Sequence, residues 1–150
     1  MKTEKEIKAL AAISISIFAA LLAINTLISG SNSSKILNNT IAANNQWAWY
    51  QAKNIRQVIY ETANKPDEAK RMDADKKEIM AKAQALEAER DEARARSPWF
   101  TYAGSLLQIG IVLSTAAILA IAMPLYWASL AVGTVGALSF FNGYFMFWGF

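Results

Sequence analysis

The sequence contains neither histidine nor cysteine. Without cysteine the chain can form no disulfide and offers no thiolate ligand, so nothing marks its redox compartment. Without histidine it also lacks the commonest metal ligand and the commonest general base. Phosphate-binding glycine loops, nucleophile elbows and dinucleotide fingerprints are missing as well. The sequence therefore predicts a protein that is not an enzyme and that needs no cofactor.

Charge is missing from two long parts of the chain. After a charged N-terminus at residues 1–8, no charged side chain occurs at residues 9–34, and none follows Arg96. The segment between them, residues 35–96, carries 12 of the 15 basic and 10 of the 12 acidic residues. Such segregation is typical of a chain that must satisfy both lipid and water. The net charge of +3 is too small to indicate a nucleic-acid partner.

Three apolar segments are long enough to cross a membrane. The first covers residues 9–29, and a 20-residue helix is about 30 Å long, close to the thickness of the hydrocarbon layer. A cleaved signal peptide is the alternative, but the bulky Leu27 and Ile28 stand where cleavage needs small residues. Residues 99–123 and 125–148 form the other two spans. Aromatic side chains near their ends are expected to anchor at the lipid–water interface: Trp99, Phe100, Tyr102, Trp127 and Trp148.

Residues 35–97 are predicted to form an extramembrane, coiled-coil-like antiparallel helical hairpin. It is broken at residues 64–67, where an asparagine suits the end of one helix and a proline the start of the next. Turn-forming and capping residues at 30–34 and 97–98 predict further helix ends on either side. Helical spacing predicts the faces that the two arms bury against each other. In the first arm they are Leu37, Ile41, Ala48, Ala52, Ile55, Ile59 and Ala63, and in the second Ala69, Met72, Ile79, Ala83, Leu86 and Ala93.

The octapeptide Gln46–Lys53, QWAWYQAK, is the least ordinary stretch of the hairpin. If Ala48 lies on the predicted buried face, aromatic rings spread round the rest of the helix and one partner arm does not cover them all. Such rings are enriched at protein interfaces. The alternative is that they fold onto the second arm or rest on lipid headgroups. The candidate interface residues here are Gln46, Trp47, Trp49, Tyr50 and Lys53.

Small residues recur at every fourth position on two predicted spans, as they do where helices pack closely in membranes. One set is Ala12, Ser16 and Ala20, and the other, a second candidate interface, is Ser129, Gly133 and Ala137. Packing within one chain is an alternative use of either set. Three strongly polar side chains in the spans are expected to hydrogen-bond between helices or, alternatively, to line a pore: Asn25, Gln108 and Asn142. The acidic residues Glu87, Glu89, Asp91 and Glu92 are expected to form ion pairs rather than a metal site.

The segment NNQWAWYQAKNIRQVIYE, followed by LEAERDEARAR and FTYAGSLLQIGIVL, resembles an uncharacterised family of bacterial inner-membrane proteins. The family is known as a domain of unknown function, number four-three-three-seven, and its Q-W-A-x-Y-Q-A-K motif is matched within residues 46–53. The resemblance covers essentially the whole chain. It implies one N-terminal membrane segment, a charged helical middle and two C-terminal membrane segments, but no activity. Family members often have an arginine-rich N-terminus, whereas this chain has three lysines there.

Together these patterns predict an all-α integral membrane protein with three transmembrane helices and an extramembrane hairpin between the first and second. The function expected is that of a non-enzymatic structural or accessory membrane protein. It would self-assemble, or dock in a larger membrane complex, through its hairpin. An oligomeric pore or channel is the alternative. The lysines before the first span favour a cytoplasmic N-terminus and a periplasmic hairpin in the bacterial inner membrane.

Overall fold

The computed structural model describes residues 2–148, which form three α-helices. Helix α1 covers Lys2–Thr62, α2 covers Pro66–Ala120 and α3 covers Met123–Phe145. No strand occurs within these described residues, so the prediction of an all-α fold is confirmed. All three helices are long and apolar enough to cross a membrane, as judged by length and composition.

The helix break predicted at residues 30–34 is wrong, because α1 runs through them without interruption. A glycine or serine inside a helix destabilises it by at most about 1 kcal/mol relative to alanine, which packing elsewhere along the helix can offset. Gly30 has no atoms within 4 Å of the position a Cβ would take, so the glycine is not required by a close approach.

The helix start predicted at residues 97–98 is also wrong, since Pro98 lies inside α2. A proline inside a helix leaves one carbonyl without its usual amide donor, here that of Arg94. Ser97 is a helical residue rather than an N-cap. Its hydroxyl accepts a 3.4 Å hydrogen bond from Nδ2 of Asn32, and its carbonyl accepts one of 3.1 Å from Oγ1 of Thr101.

The chain breaks at two tight turns. Asn64 has a left-handed φ of 58°, and the amide of Lys65 closes the end of α1 with a 2.9 Å bond to the carbonyl of Tyr60. Pro66 then begins α2, so the break predicted at residues 64–67 is confirmed. The second turn has Ile121 at φ 50°, and a proline lies in the first turn of α3.

The described chain divides into two compact units. Residues 33–94 form one, called here the middle unit, and the residues before and after them form the other, the three-helix unit. In the middle unit, polar contacts join later positions of α1 to earlier positions of α2. Asn39 Nδ2 donates to Glu89 at 3.2 Å, and Lys53 Nζ donates to Asp75 at 2.5 Å. The two helix segments of this unit therefore run antiparallel to each other.

The buried face predicted for α2 in the middle unit is confirmed. Five of its six residues are at most 9% exposed, namely Ala69, Met72, Ile79, Ala83 and Ala93, and Leu86 is half-buried. Exposed ion pairs at helical spacing cover the other sides, including Asp73 with Lys77 and Glu78 with Lys82. These pairs have the acid-before-base order that supports a helix.

The buried face predicted for α1 in the middle unit is wrong, because α1 turns its other side to α2. Four residues of the predicted face, Leu37, Ile41, Ile55 and Ile59, are between 52% and 61% exposed. Ala43 is fully buried instead, and Trp47, Tyr50, Lys53, Gln57 and Tyr60 are half-buried. Ala43 follows Ile41 by two residues, which is about 200° around a helix. Thus α1 presents a polar and aromatic surface to α2 and leaves its apolar surface uncovered.

The three-helix unit packs α3 and the ends of α1 and α2 around two small clusters. One contains Ala11, Ala117 and Tyr126, and the other contains Phe100, Ala103 and Phe140. Between them the backbones approach closely. A Cβ on Gly110 would lie 3.2 Å from the Cα of Gly133, and one on Gly133 would lie 2.1 Å from Cζ of Phe18. Such close approach through small residues is typical of helices that pack in membranes.

Candidate interaction surfaces

Two aromatic residues of the octapeptide face the partner helix of the middle unit. The indole Nε1 of Trp47 donates a 3.0 Å hydrogen bond to Glu87. The ring of Tyr50 lies under Nζ of Lys76, 5.4 Å from the ring centroid, and meets Trp47 edge-on at 5.6 Å. The structure therefore places both rings against α2, which is the alternative that the sequence left open.

Lys53 also faces α2 and forms a 2.5 Å ion pair with Asp75 across the two helix segments. The hydrogen bond from Lys53 lowers the pKa of the Asp75 carboxyl below its ordinary value of 3.8, against the opposing effect of partial burial. Asp75 is therefore held in its charged form. Gln46 is half-buried next to these contacts.

Trp49 differs from its neighbours, because 65% of its surface is exposed. It borders the face that α1 leaves uncovered. We call this face the α1 apolar face, and it consists of Leu37, Ile41, Ala48, Ala52, Ile55 and Ile59, all exposed. No charged side chain occurs in α1 from residue 36 to residue 52. This surface is thus long, apolar and nearly uncharged, on a segment whose partner helix is densely charged.

A shallow cavity of about 310 Å³ lies beside this face and is lined by Trp49, Ala52, Lys53 and Arg56. These residues stand at positions i, i+3, i+4 and i+7 of one helix. Four residues at that spacing form the hole that receives a side chain from a facing helix in knobs-into-holes packing. The lining residues therefore have the spacing of such a hole.

The second candidate interface, on α3, is used mostly within the chain. Ser129 and Gly133 are buried, and Ala137 is half-buried. The hydroxyl of Ser129 accepts a 2.9 Å hydrogen bond from Ser114 of α2 and donates one of 2.8 Å to the carbonyl of Tyr126. By contrast, the small residues Ala12, Ser16 and Ala20 of α1 are exposed.

The three polar residues of the predicted spans have different environments. Asn25 is 4% exposed and donates through Nδ2 to the carbonyl of Phe100 at 3.0 Å. Asn142 is 1% exposed and binds both the amide and the carbonyl of Trp148, at 2.7 and 3.0 Å, which closes the end of α3. Gln108 is exposed on the outside of α2. Asn142 is therefore committed to its own chain, whereas the amide of Gln108 is accessible.

The aromatic residues expected at the membrane interface lie at the two ends of the three-helix unit. Tyr102, Trp127 and Trp148 are between 52% and 66% exposed, and Trp99 is half-buried. Phe100 is an exception to the prediction, because it is only 2% exposed and packs in the core with Phe140. A side chain enclosed by helices cannot rest on lipid headgroups.

The acidic residues of α2 contact cations and amide donors. Glu89 lies 3.6 Å from Lys35 and Asp91 lies 2.9 Å from Arg90. The hydrogen bond from Arg90 lowers the pKa of Asp91 below its ordinary value. Across the described residues, no group of three or more acidic side chains is placed to hold a metal ion. Glu87 and Glu89 thus link α2 to α1, whereas Asp91 pairs with a neighbour on its own helix.

Sequence reasoning missed the acceptors Glu87 and Asp75 that orient α1. The sequence does contain an indication of these acceptors, because a half-buried indole N–H or ammonium group needs an acceptor on the facing helix. In an antiparallel pair joined at residues 63–65, positions 47 and 53 of α1 lie opposite the acidic residues of α2 near 87 and 75. Matching donors to acceptors in this way indicates the correct face where apolar periodicity does not.

The chain belongs to the family described as domain of unknown function DUF4337, whose model matches residues 7–68 and 63–146. The two matches together cover nearly all of the chain, including both units of the fold. No curated protein and no solved structure matches the chain. The family thus places the protein among its relatives without assigning a chemical activity.

Proposed function

We propose that this protein is a non-enzymatic structural or accessory membrane protein that self-assembles through the α1 apolar face of its middle unit. In this proposal the three-helix unit lies in the bacterial inner membrane and the middle unit lies outside the lipid. The N-terminus is cytoplasmic and the middle unit is periplasmic. The observation that carries the proposal is the exposure of Leu37, Ile41, Ile55 and Ile59, each more than half exposed on one side of one helix.

Membrane insertion is supported by the surface of the three-helix unit. Large apolar side chains point outward along each helix, among them Ile13, Ile17, Leu119 and Leu138, between 53% and 81% exposed. In water such a surface would favour aggregation, whereas in a bilayer these side chains would contact lipid tails. Aromatic residues at both ends fit the lipid–water interface, and residues 127–145 of α3 span about 27 Å between those ends.

Self-assembly is supported by the shape and charge of the α1 apolar face. Its residues recur at spacings of four, seven, four, three and four, which is close to the repeat of a coiled-coil seam. A facing surface must be apolar and uncharged to match it. Among the described faces of the middle unit, the outward side of α2 carries ion pairs and so does not match. The matching surface is the α1 apolar face of a second copy. The cavity at Trp49 adds a hole for a side chain from that facing helix.

The test is the particle mass of the full-length protein in mild detergent, compared between two double variants. Ile41→Glu with Ile55→Glu places two charges on the apolar face, while Ala81→Glu with Ala88→Glu adds the same charges to the exposed side of α2. We expect the parent and the α2 variant to contain the same number of copies and the α1 variant to contain fewer. A single-copy parent, or an α1 variant with the same particle mass as the parent, would contradict the proposal. Another protein that co-purifies in place of extra copies would instead indicate docking in a larger complex.

A pore formed by several copies is the second candidate, and the exposure of Gln108 is the observation that favours it. Asn142 gives it no support because its amide is engaged by Trp148. A pore predicts that a cysteine at position 108 reacts rapidly with a water-soluble thiol reagent from one side of the membrane. If position 108 instead lies in a contact between two helices inside the bilayer, that cysteine should remain unlabelled.

A further inference from the structure

The outer side of α2 in the three-helix unit carries a stripe of mostly polar residues. Thr101, Ser105, Gln108, Val112 and Thr115 are all exposed and follow one another at spacings of four and three residues. This repeat averages 3.5 residues, so the five positions form a seam that a second helix can follow in a left-handed pair. We call it the Gln108 stripe. It lies on the side of α2 away from Ala103, Leu107 and Ala117, which are fully buried in the unit.

Within this stripe the donors and the acceptor of the Gln108 side-chain amide are not satisfied by hydrogen bonds within the described chain. The threonine hydroxyls are satisfied by their own helix, since Thr101 donates to Ser97 at 3.1 Å and Thr115 to Ile111 at 2.9 Å. Among residues 2–148, no hydrogen bond is formed by the amide of Gln108. If α2 spans the bilayer, Gln108 lies about 14 Å along the helix from Trp99 and about 18 Å from Ala120, close to the middle of the hydrocarbon. Lipid tails offer an amide neither donor nor acceptor.

We propose that the Gln108 stripe is the contact between two copies of this chain inside the bilayer, and that Gln108 pairs with Gln108 of the second copy. This inference rests on the membrane insertion assumed in the proposed function, but it concerns a different surface. A second copy is the occupant because a side-chain amide carries both donors and an acceptor, and so is complementary to itself across a two-fold axis.

The composition of the stripe agrees with a contact between identical helices. It carries no charge, so two copies do not repel each other. Ser105, one turn before Gln108, is small and lets the two helix backbones approach. Val112, one turn after, supplies an apolar contact on the other side of the amide pair. Small residues beside an interhelical amide are typical of helix pairs in membranes.

The first experiment is disulfide cross-linking of single-cysteine variants of the full-length protein in phosphatidylcholine–phosphatidylglycerol vesicles. The chain contains no cysteine, so each variant reports one position. Val112→Cys, which lies on the stripe and leaves Gln108 in place, is compared with Ile109→Cys, which is one turn away, is also exposed and points about 60° away. Mild oxidation should give a covalent dimer at position 112 and little at position 109. Equal cross-linking at the two positions would mean random collision and would overturn the proposal.

The second experiment keeps Ser105→Cys as a reporter and changes Gln108 itself. Gln108→Leu removes the amide at similar volume and should lower the association constant about three- to thirtyfold, the range expected for a hydrogen bond between membrane helices. Gln108→Asn retains an amide, so its association constant should lie between those of the parent and of Gln108→Leu. Helix content measured by circular dichroism should be the same in all three proteins. Unchanged cross-linking in Gln108→Leu would show that the amide does not hold the contact, and the proposal would fail.

The same variants separate this inference from the proposed function. In the Ile41→Glu, Ile55→Glu background the cross-link at position 112 should persist, because the two surfaces are independent. Loss of the cross-link in that background would show that the Gln108 stripe is not an independent contact, and the proposal would fail. Rapid labelling of position 108 but not 109 by an impermeant maleimide would indicate a water-filled pore and also overturn the pairing. Labelling of both positions would show that α2 is outside the bilayer, and both proposals would fail.

Discussion

Phe18 of α1 lies directly on Gly133 of α3, so that a Cβ added to the glycine would come within 2.1 Å of Cζ and 2.4 Å of Cε2 of the ring. Non-bonded carbon atoms do not approach this closely. The end of an aromatic ring enclosed by helices has little room to move away. The glycine therefore sets how closely α1 and α3 can pack in the three-helix unit.

Gly133→Ala is expected to destabilise this unit by about 1–3 kcal/mol, the usual cost of overpacking a close contact. The matched control is Gly30→Ala, because nothing lies within 4 Å of the position of its added Cβ. Gly30→Ala should instead stabilise α1 by up to about 1 kcal/mol through helix propensity. Thermal unfolding in mild detergent, followed by circular dichroism, measures both. Equal stability of the two variants would mean that the helices do not meet closely at Gly133.

The contrast between the two helices of the middle unit explains what the sequence could and could not predict. In α2 only one stripe is apolar, and ion pairs occupy the other sides, so the buried face containing Ile79 and Ala83 is evident from spacing alone. In α1 two stripes have nearly the same period. The more apolar one contains Ile41 and Ile55, but the structure buries the stripe that contains Trp47.

The choice between those two stripes depends on α2, which periodicity within α1 does not report. Trp47 and Lys53 have donors that match Glu87 and Asp75, and these contacts rotate α1 so that its apolar side faces outward. The same reason applies to the helix ends. Gly30 and Pro98 weaken a helix locally, but the long helices continue because packing on either side outweighs a cost of a few kcal/mol.

Trp47→Phe and Trp49→Phe are predicted to have different effects although the two residues are neighbours in the motif. The first removes the hydrogen bond to Glu87 and should lower the stability of the middle unit by about 1–2 kcal/mol. The second changes a side chain that is 65% exposed, so it should leave stability nearly unchanged and weaken assembly. Thermal unfolding and particle mass in the same detergent distinguish them. The assignment of the two rings would be reversed if Trp49→Phe alone lowered the unfolding temperature.

The ion pair between Lys53 and Asp75 predicts how the middle unit responds to acid. The folded state holds the pKa of Asp75 below its ordinary value, so the carboxylate stabilises the fold above that value and its contribution is lost as the pH falls through the lowered pKa. Helix content at a fixed denaturant concentration should therefore fall between about pH 5 and pH 2.

Asp75→Asn should flatten part of this acid transition, and Lys53→Gln should do the same because it removes the charged ammonium donor that lowers the pKa. The pairs Asp73–Lys77 and Asp91–Arg90 have carboxyl pKa values lowered in the same direction, so some acid response should remain in both variants. An acid transition identical to that of the parent in both variants would show that the pair does not contribute.

The orientation of the protein gives the last prediction, and the absence of native cysteine makes it simple to test. Lysines before the first span favour a cytoplasmic N-terminus, which puts the middle unit in the periplasm and the turn between α2 and α3 back in the cytoplasm. Ala74→Cys and Ile121→Cys report these two regions, and both positions are exposed.

In intact spheroplasts an impermeant maleimide should label the cysteine at position 74 at once, whereas the cysteine at position 121 should become labelled only after lysis. The two positions are separated by one predicted span, so their accessibilities must be opposite whichever way the chain is inserted. The reverse pattern would place the middle unit in the cytoplasm while leaving three spans intact. Labelling of both positions before lysis would contradict a second span between them, because α2 could not then cross the bilayer.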